Sequence, residues 1–359
     1  MEKKLLLLLF SFACVFPSFS QQGNVILITM DGMRWQEIFT GADTSLLNSK
    51  KFTSQDSLTL VKKYAQPDAN DRRKMLMPFL WNTIAKDGQI YGNRKYNNFV
   101  NVKNRYWFSY PGYNEIFTGY PDTLVNSNKF PANYNENILE FINKQPAYKN
   151  KVASFGSWDA FRRILNKERS GIYINDGFDD VPADKSSPAM DVLNKAQHLL
   201  PAIYGSEERL DAMTGLMALE YMKLKHPKVL HISLGETDEF AHEGKYDYYL
   251  EAAQHNDAII RLIWEQVQSD PFYKNNTTLL LTTDHGRGLN DLWTSHWSDV
   301  PNSNEIWFAV IGKNIAAKGE MKNEGQLYQQ QFAQTIAYLT GIEFKTNHPV
   351  GEKISILFK

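Results

Sequence analysis

Three hydrophobic runs in this sequence each stop at an aspartate: those beginning at Asn24, Val229 and Thr277 reach Asp31, Asp238 and Asp284. Short apolar, β-branched runs suit strands buried on both faces of a parallel sheet, and open α/β sheets bind ligands beyond the carboxyl ends of their strands. The three acids are therefore expected at one rim. Like charges there would raise one another's pKa values, and a cation is the simplest remedy. Imidazoles are at hand: His242 lies four residues after Asp238, His285 follows Asp284 directly, and His296 comes eleven residues later. Such a mixed Asp/His set suits zinc, or manganese if carboxylates dominate.

Each residue alone also has an ordinary reading. Asp31-Gly32 makes a strand-ending turn, Asp238 and His242 share a solvated helix face if the segment is helical, and His296, between Trp293 and Trp297, packs among aromatics. His231 lies within a strand run and is expected to face the core. With the hydroxyl of Ser109 added, the set offers seven oxygen and nitrogen ligands, enough for two metal ions.

These residues need elements to hold them. Ser109 with Pro111 predicts a helix start, because serine can cap and proline has no amide to lose in the first turn; Gly119 ends that helix. Helices are predicted over 208–225 and 246–268, each feeding one of the aspartate-ending strands, with further strands near Lys151, Gln89 and Ile306. This alternation predicts an α/β fold with a mostly parallel central sheet and helices on both faces. Residues 43–75 read as a polar surface excursion, and 157–210 as loop-rich, with Gly171, Gly177, Pro182, Pro188 and Gly205 breaking regularity, as in a lid or substrate loop or in a plain surface connection.

At 359 residues and 43% hydrophobic content, a single large catalytic domain over 21–359 is expected. Residues 1–20 read as a secretory signal peptide: a charged start, an apolar stretch from Leu5 to Phe16 and small residues up to Ser20. The lone cysteine, Cys14, falls inside it; acylation there is the disfavoured alternative, since Ser11-Phe12-Ala13 lacks the expected aliphatic residue. The mature protein is expected to be secreted or periplasmic, without disulfide chemistry or a membrane span. Thirty-nine basic against 40 acidic residues give a formal net charge of −1, which offers no footprint for duplex nucleic acid.

Together the segments Thr29-Met-Asp31-Gly-Met-Arg34, Ser109-Tyr-Pro, Thr118-Gly-Tyr-Pro, Glu236-Thr-Asp238 with His242, Thr283-Asp284-His285-Gly286 and Ser295-His296 resemble the alkaline phosphatase superfamily. The resemblance is strongest to its nucleotide pyrophosphatase/phosphodiesterase branch and related secreted bacterial phosphatases. It implies two zinc ions bridged by the phosphate of a small-molecule ester: Asp238, His242 and His296 on one, and Asp31, Asp284, His285 and the nucleophile Ser109 on the other. It further implies phosphodiesterase or phosphomonoesterase activity through a phosphoseryl intermediate. Amides at the helix start would face the phosphoryl group, and an asparagine about twenty residues after the nucleophile would bind a phosphoryl oxygen. Asn126 and Asn128 compete for that role, with Asn128 preferred.

Departures matter as well. Ser109 stands where the phosphodiesterase branch more often has threonine. Tyr113 stands where sulfatases carry the arginine of their formylglycine signature, which disfavours a sulfatase. Trp107, Phe108, Tyr110, Tyr113 and Trp158 could form an apolar shelf for a diester, whereas Arg162 and Arg163 could serve a monoester or lie on an exposed helix face. Alternatives are a phosphotransferase, a sulfatase-like member, or a non-catalytic binding protein on the same scaffold. Oligomeric state is left open.

Overall fold

The computed structural model describes residues 23–54 and 57–358. The expected leader, residues 1–20 with Cys14, lies outside the described residues. Among those described, no helix is long and apolar enough to cross a membrane.

The strands are β1 (Asn24–Met30), β2 (Gly88–Tyr91), β3 (Asn98–Asn101), β4 (Val152–Gly156), β5 (Tyr173–Asp176), β6 (Val229–Leu234), β7 (Thr277–Thr282), β8 (Glu305–Ile306), β9 (Phe308–Gly312), β10 (Gly319–Glu320) and β11 (Gly325–Tyr328). Eight of them form one sheet in the order β10-β2-β9-β7-β1-β6-β4-β5, while β11, β3 and β8 form a second. The predicted aspartate-ending strands are the three central neighbours. β1 pairs in parallel with β6 on one side and β7 on the other, and all seven of its residues are buried. Alternation sends Ile26, Ile28 and Met30 into one core and Val25 and Leu27 into another. Helices therefore cover both faces of a mostly parallel sheet, as predicted.

The strand expected near Ile306 is split, and its larger part runs backwards. β9 is antiparallel to β7 and to β2. Between β7 and β9 the chain forms only a short 3₁₀ turn, Asn290–Thr294, and the two-residue β8, with no crossover helix of the kind that usually returns a strand parallel. The 43–75 stretch is also not a mere surface excursion. It folds into the short helices Thr44–Leu47, Ser57–Tyr64 and Ala69–Leu76, which send Leu46, Leu47, Leu60, Tyr64 and Leu76 into the core. Its polar average concealed a few apolar residues placed on one side of each helix. Similarly, 157–210 contains the edge strand β5 and a ten-residue helix, Pro188–Gln197.

His231 faces the core, as expected. Nδ1 lies 2.9 Å from Ser154 Oγ and Nε2 lies 3.2 Å from Thr29 Oγ1, with Phe117 and Phe161 against the ring. Burial pushes its pKa down to about 3, so it is neutral when folded and binds a proton only on unfolding. Its contribution is whole above about pH 6.5 and is lost progressively as the pH falls toward 3, by ~2 kcal/mol between pH 6.5 and 5. His231→Asn is therefore expected to lose less stability than the wild type between pH 7 and pH 5 in denaturant titrations. A parallel loss in both would show that His231 does not govern this window.

Candidate active site

Asp31 leaves the end of β1, Asp284 lies two residues beyond β7, and Asp238 sits in the helix Glu236–His242 that follows β6. The same helix carries His242, one turn on, so the predicted shared face is real: His242 Nε2 lies 3.0 Å from Asp238 Oδ2. Asp211 fixes that helix from outside the site. Its buried carboxylate accepts hydrogen bonds from the Gly235 and Glu236 amides at 2.7 and 3.0 Å, and from Ser157 Oγ and Asn256 Nδ2. Nothing in its local sequence distinguishes it from an ordinary helix-start aspartate.

Two groups of three result. Asp238, His242 and His296 form one, Asp31, Asp284 and His285 the other, and within each the candidate ligand atoms lie within 4.8 Å of one another. His285 joins the two, with Nε2 3.3 Å from Asp31 Oδ1, 3.5 Å from Asp284 Oδ2 and 3.8 Å from Asp238 Oδ1. Its Nδ1 faces the Gly286 carbonyl at 2.9 Å, and His296 Nδ1 faces the Trp107 carbonyl at 3.1 Å. A carbonyl only accepts, so both rings carry a proton on Nδ1 and turn Nε2 inward. Trp107 adopts a left-handed backbone with φ 55°, local strain of the kind that collects at functional sites.

The electrostatics call for cations. Burial, then Asp238, raises the Asp31 carboxyl; burial, then Asp31, raises that of Asp284 well above its ordinary range. Asp31 Oδ1 and Asp284 Oδ2 are buried without hydrogen-bond partners, an arrangement that is costly unless a positive charge meets it. The donor set thus fits two divalent ions. Asp238 differs: burial acts upward, but Arg287, followed by His242, holds it well below its usual range. The Arg287 guanidinium contacts Asp238 Oδ1 and is anchored by Nε on the Trp293 carbonyl and Nη2 on the Thr294 carbonyl. Sequence reading passed over Arg287, although its place two residues after His285 was the available signal.

Ser109 opens the helix Ser109–Thr118, but it does not cap it. Phe108 is the N-cap residue, with no side-chain bond, so the serine hydroxyl is left for the cavity, 3.4 Å from His285 Nε2. The amide contribution expected at this helix start is narrower than predicted. The Tyr110 N–H donates to Asn128 Oδ1 at 3.0 Å, Pro111 has none, and the Gly112 N–H donates to the Phe108 carbonyl. Asn128 lines the cavity with Ser109, Asp31, Asp238 and His242, in a volume of about 430 Å³, whereas Asn126 is exposed and outside it.

Most of the expected aromatic shelf is not a shelf. Phe108 is buried against Trp297, the buried Tyr110 donates from its hydroxyl to the Pro131 carbonyl, and the buried Tyr113 donates to Asp31 Oδ2 at 3.1 Å and meets Ser233 Oγ. Trp107 turns its carbonyl to His296. Trp158 alone of the five lines the cavity. Arg162 is paired with Asp176 and Asp179, while Arg163 lines the cavity and donates from Nη1 to the carbonyls of Asn128 and Phe130.

Gly112 lets the serine helix approach the metal-type cluster. A Cβ there would sit 2.5 Å from the Asp284 carbonyl oxygen. Alanine normally stabilises a helix interior relative to glycine by about 0.5–1 kcal/mol, yet Gly112→Ala is expected to destabilise by ~1–3 kcal/mol through overpacking. Denaturant unfolding decides the sign, and a net gain would contradict this packing.

No known protein family matches the sequence, and no curated protein matches it. Solved structures do. Alkaline phosphatase PafA is similar at 11% identity and a TM-score of 0.59, over 95% of this chain and 100% of that one. The lipoteichoic acid synthase LtaP from Listeria monocytogenes is similar at 12% identity and a TM-score of 0.58, over 93% and 75%. The 2-O GAG sulfatase BT1596 is similar at 11% identity and a TM-score of 0.57, over 94% and 74%. The fold is therefore alkaline-phosphatase-like. These neighbours comprise a phosphatase, a synthase and a sulfatase, so the fold alone does not choose among their reactions.

Proposed function

We propose that the protein is an exported two-metal hydrolase of phosphoric esters, monoester or diester, with Ser109 as nucleophile. The observation that carries this reading is the position of the Ser109 hydroxyl, at a helix start and beside His285, the residue that joins the two ligand groups. Asp238, His242 and His296 would hold one cation, and Asp31, Asp284 and His285 the other, together with Ser109. Zinc suits this mixture of carboxylate and imidazole, with manganese the alternative. When bound, such ions supply the positive charge that lowers the pKa of a hydroxyl and balances phosphoryl oxygens.

The chain's own residues do the rest. Tyr113 orients Asp31 through its hydroxyl, Arg287 holds Asp238, and the Gly286 and Trp107 carbonyls fix the ring faces of His285 and His296. Asn128 holds the Tyr110 amide beside the nucleophile and lines the space for a phosphoryl oxygen. Ser109 Oγ bonds to phosphorus as the bond to the leaving oxygen breaks; the leaving group takes that electron pair, and the hydroxyl proton goes to water. Water then attacks the phosphoserine, and Ser109 Oγ departs with its electron pair and regains a proton.

A sulfuric ester is the rival substrate on this fold. Against it stands Tyr113, buried and engaged with Asp31 and Ser233, at the position where the formylglycine signature would carry arginine. The deciding measurement compares a phosphate monoester, a phosphate diester and a sulfate ester that share one chromogenic leaving group. At least one phosphate ester is expected to exceed the sulfate in kcat/KM by about a hundredfold or more. A faster sulfate would replace this reading. Product analysis with an added alcohol separates hydrolysis from phosphoryl transfer.

A further inference from the structure

Beyond the nucleophile the cavity wall becomes acidic. Residues 157–159, just after β4, run antiparallel to 207–209: the Asp159 amide donates to the Glu207 carbonyl at 2.8 Å, the Arg209 amide to the Ser157 carbonyl at 3.1 Å, and Trp158 bridges Glu208. This pairing sets Asp159, Glu207 and Glu208 into the wall, where Glu239 joins them from the helix that carries Asp238. None of the four belongs to either metal-type group.

Glu208 is the unexplained member. It is only 7% exposed, it lines the cavity, and its Oε1 is buried without a hydrogen-bond partner. Its carboxylate packs over Gly235, where a Cβ would sit 1.7 Å from Oε1, so the backbone is shaped to admit it. Its side chain also meets another acid, Glu239, and two buried carboxyls in contact are retained at a cost unless a proton or a cation meets them. The nearest basic candidates in the wall do not serve: Lys129 is exposed, and Arg163 Nη1 donates to the carbonyls of Asn128 and Phe130.

The missing cation has a recognisable chemistry. Among the described residues, only the two groups already assigned bring three ligand atoms within 4.8 Å, so the Glu208 wall does not converge as a divalent ion requires. It is spread over several carboxylates around one indole, Trp158. A diffuse alkylammonium charge suits that surface, because it can meet carboxylates and an aromatic face together. A substituent bearing negative charge would be repelled by the same wall.

We propose that Glu208, Glu239, Asp159 and Trp158 form a subsite for an alkylammonium group. Its extension to substrate choice rests on the hydrolase reading above: preferred substrates are phosphate esters of amino alcohols such as choline or ethanolamine, as free monoesters or as diester headgroups.

Calorimetry on the zinc-loaded protein tests the subsite without turnover, comparing choline with 3,3-dimethylbutan-1-ol, which has the same shape without the charge. Choline is expected to bind at least about tenfold tighter, and Glu208→Gln to bring the two near parity. Equal binding in the wild type overturns the subsite even if the variant fails to fold, and a preference that survives in folded Glu208→Gln overturns the role of Glu208. A second arm compares p-nitrophenyl diesters of phosphocholine and of 3,3-dimethylbutyl phosphate. A preference of about tenfold in kcat/KM for the choline ester supports the inference, and equal rates overturn it. Choline binding with neither ester nor choline phosphate cleaved leaves the subsite standing and removes the hydrolase reading instead. The ratio of choline phosphate to choline diester turnover distinguishes a free monoester from a headgroup source.

Discussion

Ser109→Ala is expected to reduce kcat/KM for the best phosphate ester by about a thousandfold or more, because Ser109 carries the only hydroxyl among the described residues that line the cavity. A thousandfold corresponds to about 4 kcal/mol of transition-state stabilisation. The fold should survive: Ser109 Oγ meets His285 only at 3.4 Å and caps no amide, so its removal leaves few broken contacts. Metal content should also survive, since six other side chains form the two ligand groups. Activity within tenfold of the wild type would sink Ser109 as nucleophile, whereas loss of both metals would turn it into a structural ligand. Measuring turnover and bound zinc on one preparation separates these outcomes.

Exhaustive chelation is expected to have an effect of similar size on activity and a second effect on stability. Without cations, Asp31 Oδ1 and Asp284 Oδ2 remain buried without a hydrogen-bond partner and share one imidazole, His285, and each carboxyl is pushed up first by burial and then by its acidic neighbour, Asp238 for the one and Asp31 for the other. Ions that bind only the folded protein stabilise it by about 4 kcal/mol at a thousand times Kd. Chelated protein should therefore unfold roughly 5–10 °C lower, and added zinc should restore both midpoint and turnover. An unchanged midpoint with unchanged activity would leave the buried acids without an explanation and defeat the two-cation reading.

The central strands were legible because their signal is local. β1, β6 and β7 are short, largely apolar runs that lead to acids, and in a parallel sheet such ends must share a rim. The helix over Asp211–Lys225 and the strand at Val152–Gly156 were placed within a few residues for the same reason: each carries its own periodicity. The 43–75 helices and β5 were not, because their few apolar residues become meaningful only against a surface that receives them. The sequence suggested Ser109 as a helix cap and several aromatics as a substrate shelf; packing instead placed Phe108 at the cap and took Phe108, Tyr110 and Tyr113 into the interior.

What the sequence determined by itself, then, is the inventory at the rim: which acids, imidazoles and hydroxyl stand at strand ends and a helix start, and the family they resemble. Tertiary structure decided which residues answer one another. It set Arg287 on Asp238, Tyr113 on Asp31 and Asp211 under the helix that presents Asp238. It also buried Glu208 against Gly235 and Glu239, with Oε1 left without a hydrogen-bond partner. The physical reason is range: strand ends and helix starts follow from neighbours a few residues apart, whereas a buried charge takes its meaning from groups brought close by folding, from positions far along the chain.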